Sequence, residues 1–151
     1  MHYNMEHWFT DKQSRLLAWR DWRQQLNQSN DNDIDALNKI AQWWKFVPLV
    51  NKAVDPWREE TWPNPWELVG QGEFCTSAQG LGIFYTMVLM GQDCDLILGQ
   101  LEDYPETKLM VLTPDKKLLN YYDGEVVDLG SARFQILRIW HPSDLARLVK
   151  V

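Results

Sequence analysis

Residues 73–91 read EFCTSAQGLGIFYTMVLMG. Phe74, Ala78, Leu81, Tyr85 and Val88 recur at three- and four-residue spacing, which predicts a helix over 74–90. Ile83, Phe84 and Met87 fill a second stripe, so this helix is apolar on most sides and is expected to be buried on most sides. Gly80 and Gly82 lower its helical propensity but allow a neighbouring element to approach closely. Gly91 is placed to cap its C-terminus.

After this helix the period changes to two. Residues 93–101, 107–113, 117–122, 125–129 and 131–140 read as strands, with a turn at Pro114-Asp115-Lys116. Asp123-Gly124 is a two-residue hairpin signal between two of them. His141-Pro142-Ser143-Asp144 then opens a short terminal helix over 145–149.

Before the central helix the pattern is also helical. Leu16, Trp19, Trp22 and Leu26 mark a helix over 11–26, and Ile34, Leu37, Ala41 and Trp44 mark a second over 34–47, closed by Pro48. The two are expected to form an antiparallel pair. A segment rich in proline and tryptophan follows. In it Asn64, Pro65 and Glu67 form a capping-box pattern for one short helix that Gly70 is expected to end. Helices first and an antiparallel meander second give an α+β fold in one domain, 1–151. It comprises a helical part (1–91), a sheet of about five strands (92–141) and a terminal helix (143–151).

Composition agrees with one globular core: 151 residues, 45% apolar and 24% charged. The net charge of −6 leaves no electrostatic footprint for duplex DNA or an anionic membrane. Residues 1–9 lack the apolar run of a signal peptide, and two cysteines do not make a disulfide framework, so the chain is expected not to be secreted. Eight of the nine tryptophans lie before residue 67. They read either as a core built from large residues or as a contact surface, since tryptophan is enriched at binding hot spots. Trp19, Trp22, Trp57, Trp62 and Trp66, with Arg20 and Arg23, are the candidate binding residues. Arginines interleaved with tryptophans also suit a single-stranded nucleic-acid module.

Cys75 is the first candidate for chemistry. It opens the central helix, where the macrodipole and free N–H groups favour a thiolate. A nucleophilic cysteine needs a base within reach, ordinarily a histidine. The layout over 64–129, a Cys-initiated helix followed by a meander, resembles the transglutaminase-like branch of the papain-like superfamily. That resemblance implies a histidine at the start of strand 107–113 and an aspartate on or after the next strand. Cys75 matches the nucleophile and Asp123 could match the acid, but Thr107 and Lys108 stand in the histidine slot. The chain's histidines are His2, His7 and His141. His141, at a strand end before proline, is the weak alternative base; it also suits a cap. The favoured reading of Cys75 is a small apolar residue packing a helix start, and Cys94 reads as strand core.

Asp31, Asp33 and Asp35 resemble a calcium loop but lack its glycine and its twelfth-position glutamate. Helix capping is their expected role, and no metal or other cofactor is expected. Gly70-Gln71-Gly72 lacks a phosphate loop's lysine.

Trp62-Pro63-Asn64-Pro65-Trp66-Glu67-Leu68, followed by Phe74-Cys75, is similar to small proteins of tailed, contractile-tail bacteriophages. That resemblance implies a non-catalytic structural protein of a virion, with other virion proteins as partners and a location in the particle or host cytoplasm. Ordered termini at Met1 and Val151 would accord with docking in an assembly. The alternatives are a cysteine hydrolase or acyltransferase pairing Cys75 with His141, and the nucleic-acid module.

Overall fold

The computed structural model describes residues 5–29, 31–50, 54–103 and 105–149. The expectation of ordered ends at Met1 and Val151 lies outside them. The fold is α+β, with four α-helices and a five-stranded antiparallel sheet.

Helix α1 (Lys12–Gln28) is capped by the Asp11 carboxylate, which accepts from Ser14 N at 2.8 Å. Helix α2 (Asp33–Lys45) is capped by Asn32, and Asp33 and Asp35 occupy its positive first turn. Asp31 pairs instead with Lys39. These acidic residues thus do the work of a helix start. Helix α1 leans mainly on α3 and α2 mainly on α4. The first two helices meet through Trp22 and Trp43, stacked 4.5 Å apart at 15°.

Helix α3 (Pro65–Gln71) begins with the full capping box: Asn64 Oδ1 accepts from Glu67 N, and Glu67 Oε1 accepts from Asn64 N. It runs through Gly70 and ends at Gly72, whose φ of +72° provides the left-handed cap that the sequence reading assigned two residues too early.

Helix α4 (Thr76–Leu89) is the centre of the molecule, with every residue from Ser77 to Met87 buried. A β-carbon on Gly80 would meet Leu109 O at 2.2 Å, and one on Gly82 would meet the Trp44 ring at 2.4 Å. The two glycines therefore let the sheet and α2 close on opposite sides of one helix. Thr86, fully buried, accepts from Trp19 Nε1 at 3.1 Å and Trp44 Nε1 at 3.0 Å while donating to Gly82 O. One hydroxyl thus satisfies two indoles that have no water to bond.

The strands are β1 (Asp95–Leu101), β2 (Thr107–Leu112), β3 (Lys117–Leu119), β4 (Val126–Asp128) and β5 (Phe134–Trp140), in spatial order β4-β3-β2-β1-β5. The expected tight hairpin at Asp123-Gly124 is instead a longer connection over 120–125, because Asn120 already leaves the strand with φ +72°. Leu96, Leu98, Leu109, Val111 and Leu119 share the core with α4, whereas Ile97, Leu101, Met110 and Leu118 cluster on the other face. The terminal helix over 145–149 is replaced by a 3-10 turn, Pro142–Leu145, and further turns.

Candidate functional site at the start of the central helix

Cys75 is the N-cap of α4, with extended backbone (φ −127°, ψ 178°) and no side-chain bond to the helix. Its thiol, 9% exposed, donates to Val54 O at 3.6 Å. Thr76 Oγ1 donates to Glu106 Oε1 at 3.3 Å. Asn120 Nδ2 donates to Thr76 O at 2.9 Å and Leu109 O at 2.8 Å, tying the strand end to the helix start. Gln79 Nε2 bridges Trp44 O at 3.0 Å and Asp123 Oδ1 at 3.1 Å. Burial raises the Asp123 carboxyl above the usual range, against the lowering effect of the Gln79 bond and of Lys45 and Lys108.

The histidine slot is occupied differently from the sequence reading. Lys108 alternates with Leu109, so its side chain projects to Met110's face of the sheet, away from α4. There Lys108 Nζ donates to Tyr121 O at 2.9 Å, and burial lowers its basicity. Leu109, fully buried, is the β2 residue against which α4 packs. Asn120 bonds the backbone of the helix start, and Asp123 bonds the Gln79 side chain in the same first turn.

His141 is not a partner of Cys75. It ends β5, with Nδ1 2.6 Å from Asp95 Oδ1 at the beginning of β1. The Thr76–Glu106 contact sets Cys75 beside the opposite end of β1, and α4 separates the two by about 20 Å. Among the described residues the other histidine is His7, stacked on Trp43 at 4.0 Å. His2 lies outside them.

The candidate binding residues separate into two groups. Trp19, Trp22 and Trp62 are at most 5% exposed and belong to the core, which removes the aromatic face that the nucleic-acid reading required. Trp62 donates to Asp55 O at 2.6 Å and meets Trp140 edge-on. Trp57 and Trp66 are 52% and 45% exposed. Arg20 is on the surface, paired with Asp21, and Arg23 lies 4.2 Å over the Trp19 ring.

No family model matches the sequence, and no curated protein matches it. Solved structures do. LapG from Legionella pneumophila superimposes with a TM-score of 0.70 at 13% identity, over 87% of this chain and 77% of that chain. The EGTA-treated form of LapG gives 0.70 at 14% identity, over 88% and 75%. The calcium-bound form gives 0.69 at 13% identity, over 87% and 77%. The chain shares its fold with LapG, whose fold is the transglutaminase-like, papain-like one.

This likeness overturns the expectation of a non-catalytic phage-particle protein, since the neighbours share a cysteine-protease fold and nothing ties the chain to phage tails. The block at 62–68 that suggested a phage protein has a local explanation. Its Asn, Pro and Glu build a capping box, and its first tryptophan packs on Trp140. Among the described residues no group of three or more His, Cys, Asp or Glu could hold a metal. No helix of the described residues is long and apolar enough to cross a membrane.

Proposed function

We propose that this chain is a cysteine-dependent hydrolase or acyltransferase with Cys75 as its nucleophile. The observation that carries the reading is the thiol at the first position of the buried central helix, in a fold shared with a cysteine protease. The first turn of α4 leaves backbone N–H groups without helical partners. Directed at a carbonyl oxygen, such donors stabilise the oxyanion that forms as a thiolate attacks the carbonyl carbon. The intermediate collapses to a thioester on Cys75 as the C–N or C–O bond breaks, and the leaving amine or alcohol takes its proton from water. Water completes hydrolysis, or an amine completes transfer. Asn120 holds the carbonyl of Thr76, the residue beside the nucleophile, and acts as a positioning residue.

No described imidazole receives the thiol proton, so it passes to solvent base. The rate therefore climbs with pH without the inflection that a histidine gives near its ordinary titration. The second cysteine is an internal control. Burial, reinforced by Asp95 and Asp93, pushes the Cys94 thiol up to about 12. At pH 8 that thiol is ionised to only about one part in 10⁴, roughly 10³-fold less than an ordinary cysteine.

Incubation with p-nitrophenyl acetate tests the reading. Mass spectrometry is expected to find one acetyl group on Cys75, none on Cys94, and none in a folded Cys75→Ser variant. Acetylation that persists in Cys75→Ser, or a wild-type chain that takes up none, rejects it.

A further inference from the structure

A cleft of about 210 Å³ lies between α1 and α3, away from Cys75, lined by Gln13, Leu16, Leu17, Arg20, Arg23 and Trp66. Arg20 is paired with Asp21 on the surface, so the charge left without a partner is that of Arg23. Arg23 has no carboxylate partner and no hydrogen bond among the described residues, and its Nε is buried without an acceptor. The Trp19 ring, its centroid 4.2 Å from Arg23 Cζ, attracts the cation but supplies no carboxylate or carbonyl acceptor. Burial, and then the charge of Arg20, makes the protonated form of Arg23 less favourable than in water. A buried donor without an acceptor costs about 1–3 kcal/mol, and a second cation beside it adds repulsion. An anion in the cleft relieves the repulsion and offsets the cost of burying the charge. The rest of the lining includes exposed apolar surface: Leu17 is 43% exposed and Trp66 45% exposed.

We propose that this cleft is a peptide-binding site that takes the carboxylate of an Asp or Glu side chain on Arg23 and Arg20, with a neighbouring apolar residue of the same peptide against Trp66 and Leu17. Charge complementarity selects the carboxylate, because a planar guanidinium matches its two oxygens in a fork. The volume admits one acidic side chain with part of its neighbour. A nucleic-acid strand fits less well, since it needs a row of cations. Past the cleft α1 offers Asp21, Gln24 and Gln25, on a chain of net charge −6. The site is independent of Cys75.

The test uses the full-length chain and a pool of fluorescein-labelled hexapeptides in which Glu alternates with Leu or Phe, read by anisotropy at low salt. The Glu pool is expected to bind, and the same pool with Gln for Glu to bind at least roughly 10-fold more weakly. Arg23→Gln is expected to lose a similar factor, with Arg23→Lys recovering part of it and Cys75→Ser binding as wild type. Because Arg23→Gln also removes the contact with Trp19, the surface variant Arg20→Gln provides a second measurement, with a smaller loss expected in a chain of unchanged circular dichroism. The Arg23 Nε–H resonance is expected to shift on addition of the Glu pool. The proposal is overturned by equal binding of the two pools, by no binding of the Glu pool, by unchanged affinity in both arginine variants, or by displacement of the peptide with an equal concentration of inorganic phosphate or oligo-dT.

Discussion

The two ends of the α4–β1 unit hold the two halves of a cysteine–histidine pair and keep them apart. At the end where α4 starts, Cys75 caps the helix among Thr76, Asn120 and Glu106. At the end where β1 starts, His141 is oriented by Asp95, and a different cysteine, Cys94, lies beside them in the wall of the same surface pocket. The first end has a thiol at a helix terminus that bonds Val54 O and, among the described residues, no imidazole. The second has an imidazole–carboxylate pair and a thiol too buried to ionise near neutrality. Possession of both residue types is therefore not possession of a dyad. The length of one buried helix decides it.

The first end depends on α4 lying flat on β2, and the largest effect is expected from preventing that. Gly80→Ala would drive a methyl group into Leu109 O, a backbone atom that cannot swing aside. A destabilisation of about 3 kcal/mol is expected, read as a fall in the urea midpoint. The Asn120 Nδ2–Leu109 O bond crosses the same junction, so acetylation of Cys75 should fall in the fraction that remains folded. A chain as stable as wild type would show that α4 and β2 are not in contact at this point.

Helix α4 also has a side facing the other helices, and Thr86→Val separates that side from the sheet side. The substitution nearly preserves volume but removes the acceptor of Trp19 and Trp44 together. Two buried indole N–H groups are left unpaired, and a loss of about 2 kcal/mol is expected from urea unfolding. Because the contact lies on the helical side, acetylation of Cys75 in the folded variant should match wild type. A loss of Cys75 reactivity equal to that of Gly80→Ala would show that the two sides act as one.

How far the sequence carries these distinctions depends on whether the deciding contact is local. The capping box at Asn64–Glu67, the helix over α4 and the thiol at its start are set by residues within a few positions of one another, and all are legible. The meaning of Gly80 and Gly82 was half legible: a close approach was implied, but not that Leu109 and Trp44 make it from opposite sides. The connection after β3 was misread because Asp-Gly is a strong local signal. Asn120 overrides it with side-chain bonds to Thr76, 44 positions away, and Leu109, 11 away. Strand register likewise turns Lys108 away from the helix and presents Leu109, which no pattern in residues 107–113 announces. Tryptophan spacing places Trp19, Trp22 and Trp62 but does not say which face becomes core. Polar residues inside an apolar helix are a usable signal: Gln79 and Thr86 each imply a buried polar partner, and each has one.

The smallest effect is expected at the second end. The Asp95 hydrogen bond, followed by its charge, raises the His141 imidazole above its usual range. A group whose folded value is raised stabilises the protein fully below its unfolded value, about 6.5, and the contribution is lost as pH rises through the folded value. The difference in Tm between wild type and Asp95→Asn should therefore be present near pH 6 and vanish at alkaline pH. In an NMR titration the His141 ring resonance should move back toward 6.5 in the variant. The imidazole is largely exposed, so solvent screens the pair and the shift in Tm is expected to be small. Acetylation of Cys75 should be unaffected at any pH, because α4 stands between the two ends. A rate at Cys75 that follows the His141 titration would join the two ends into one site and refute their separation.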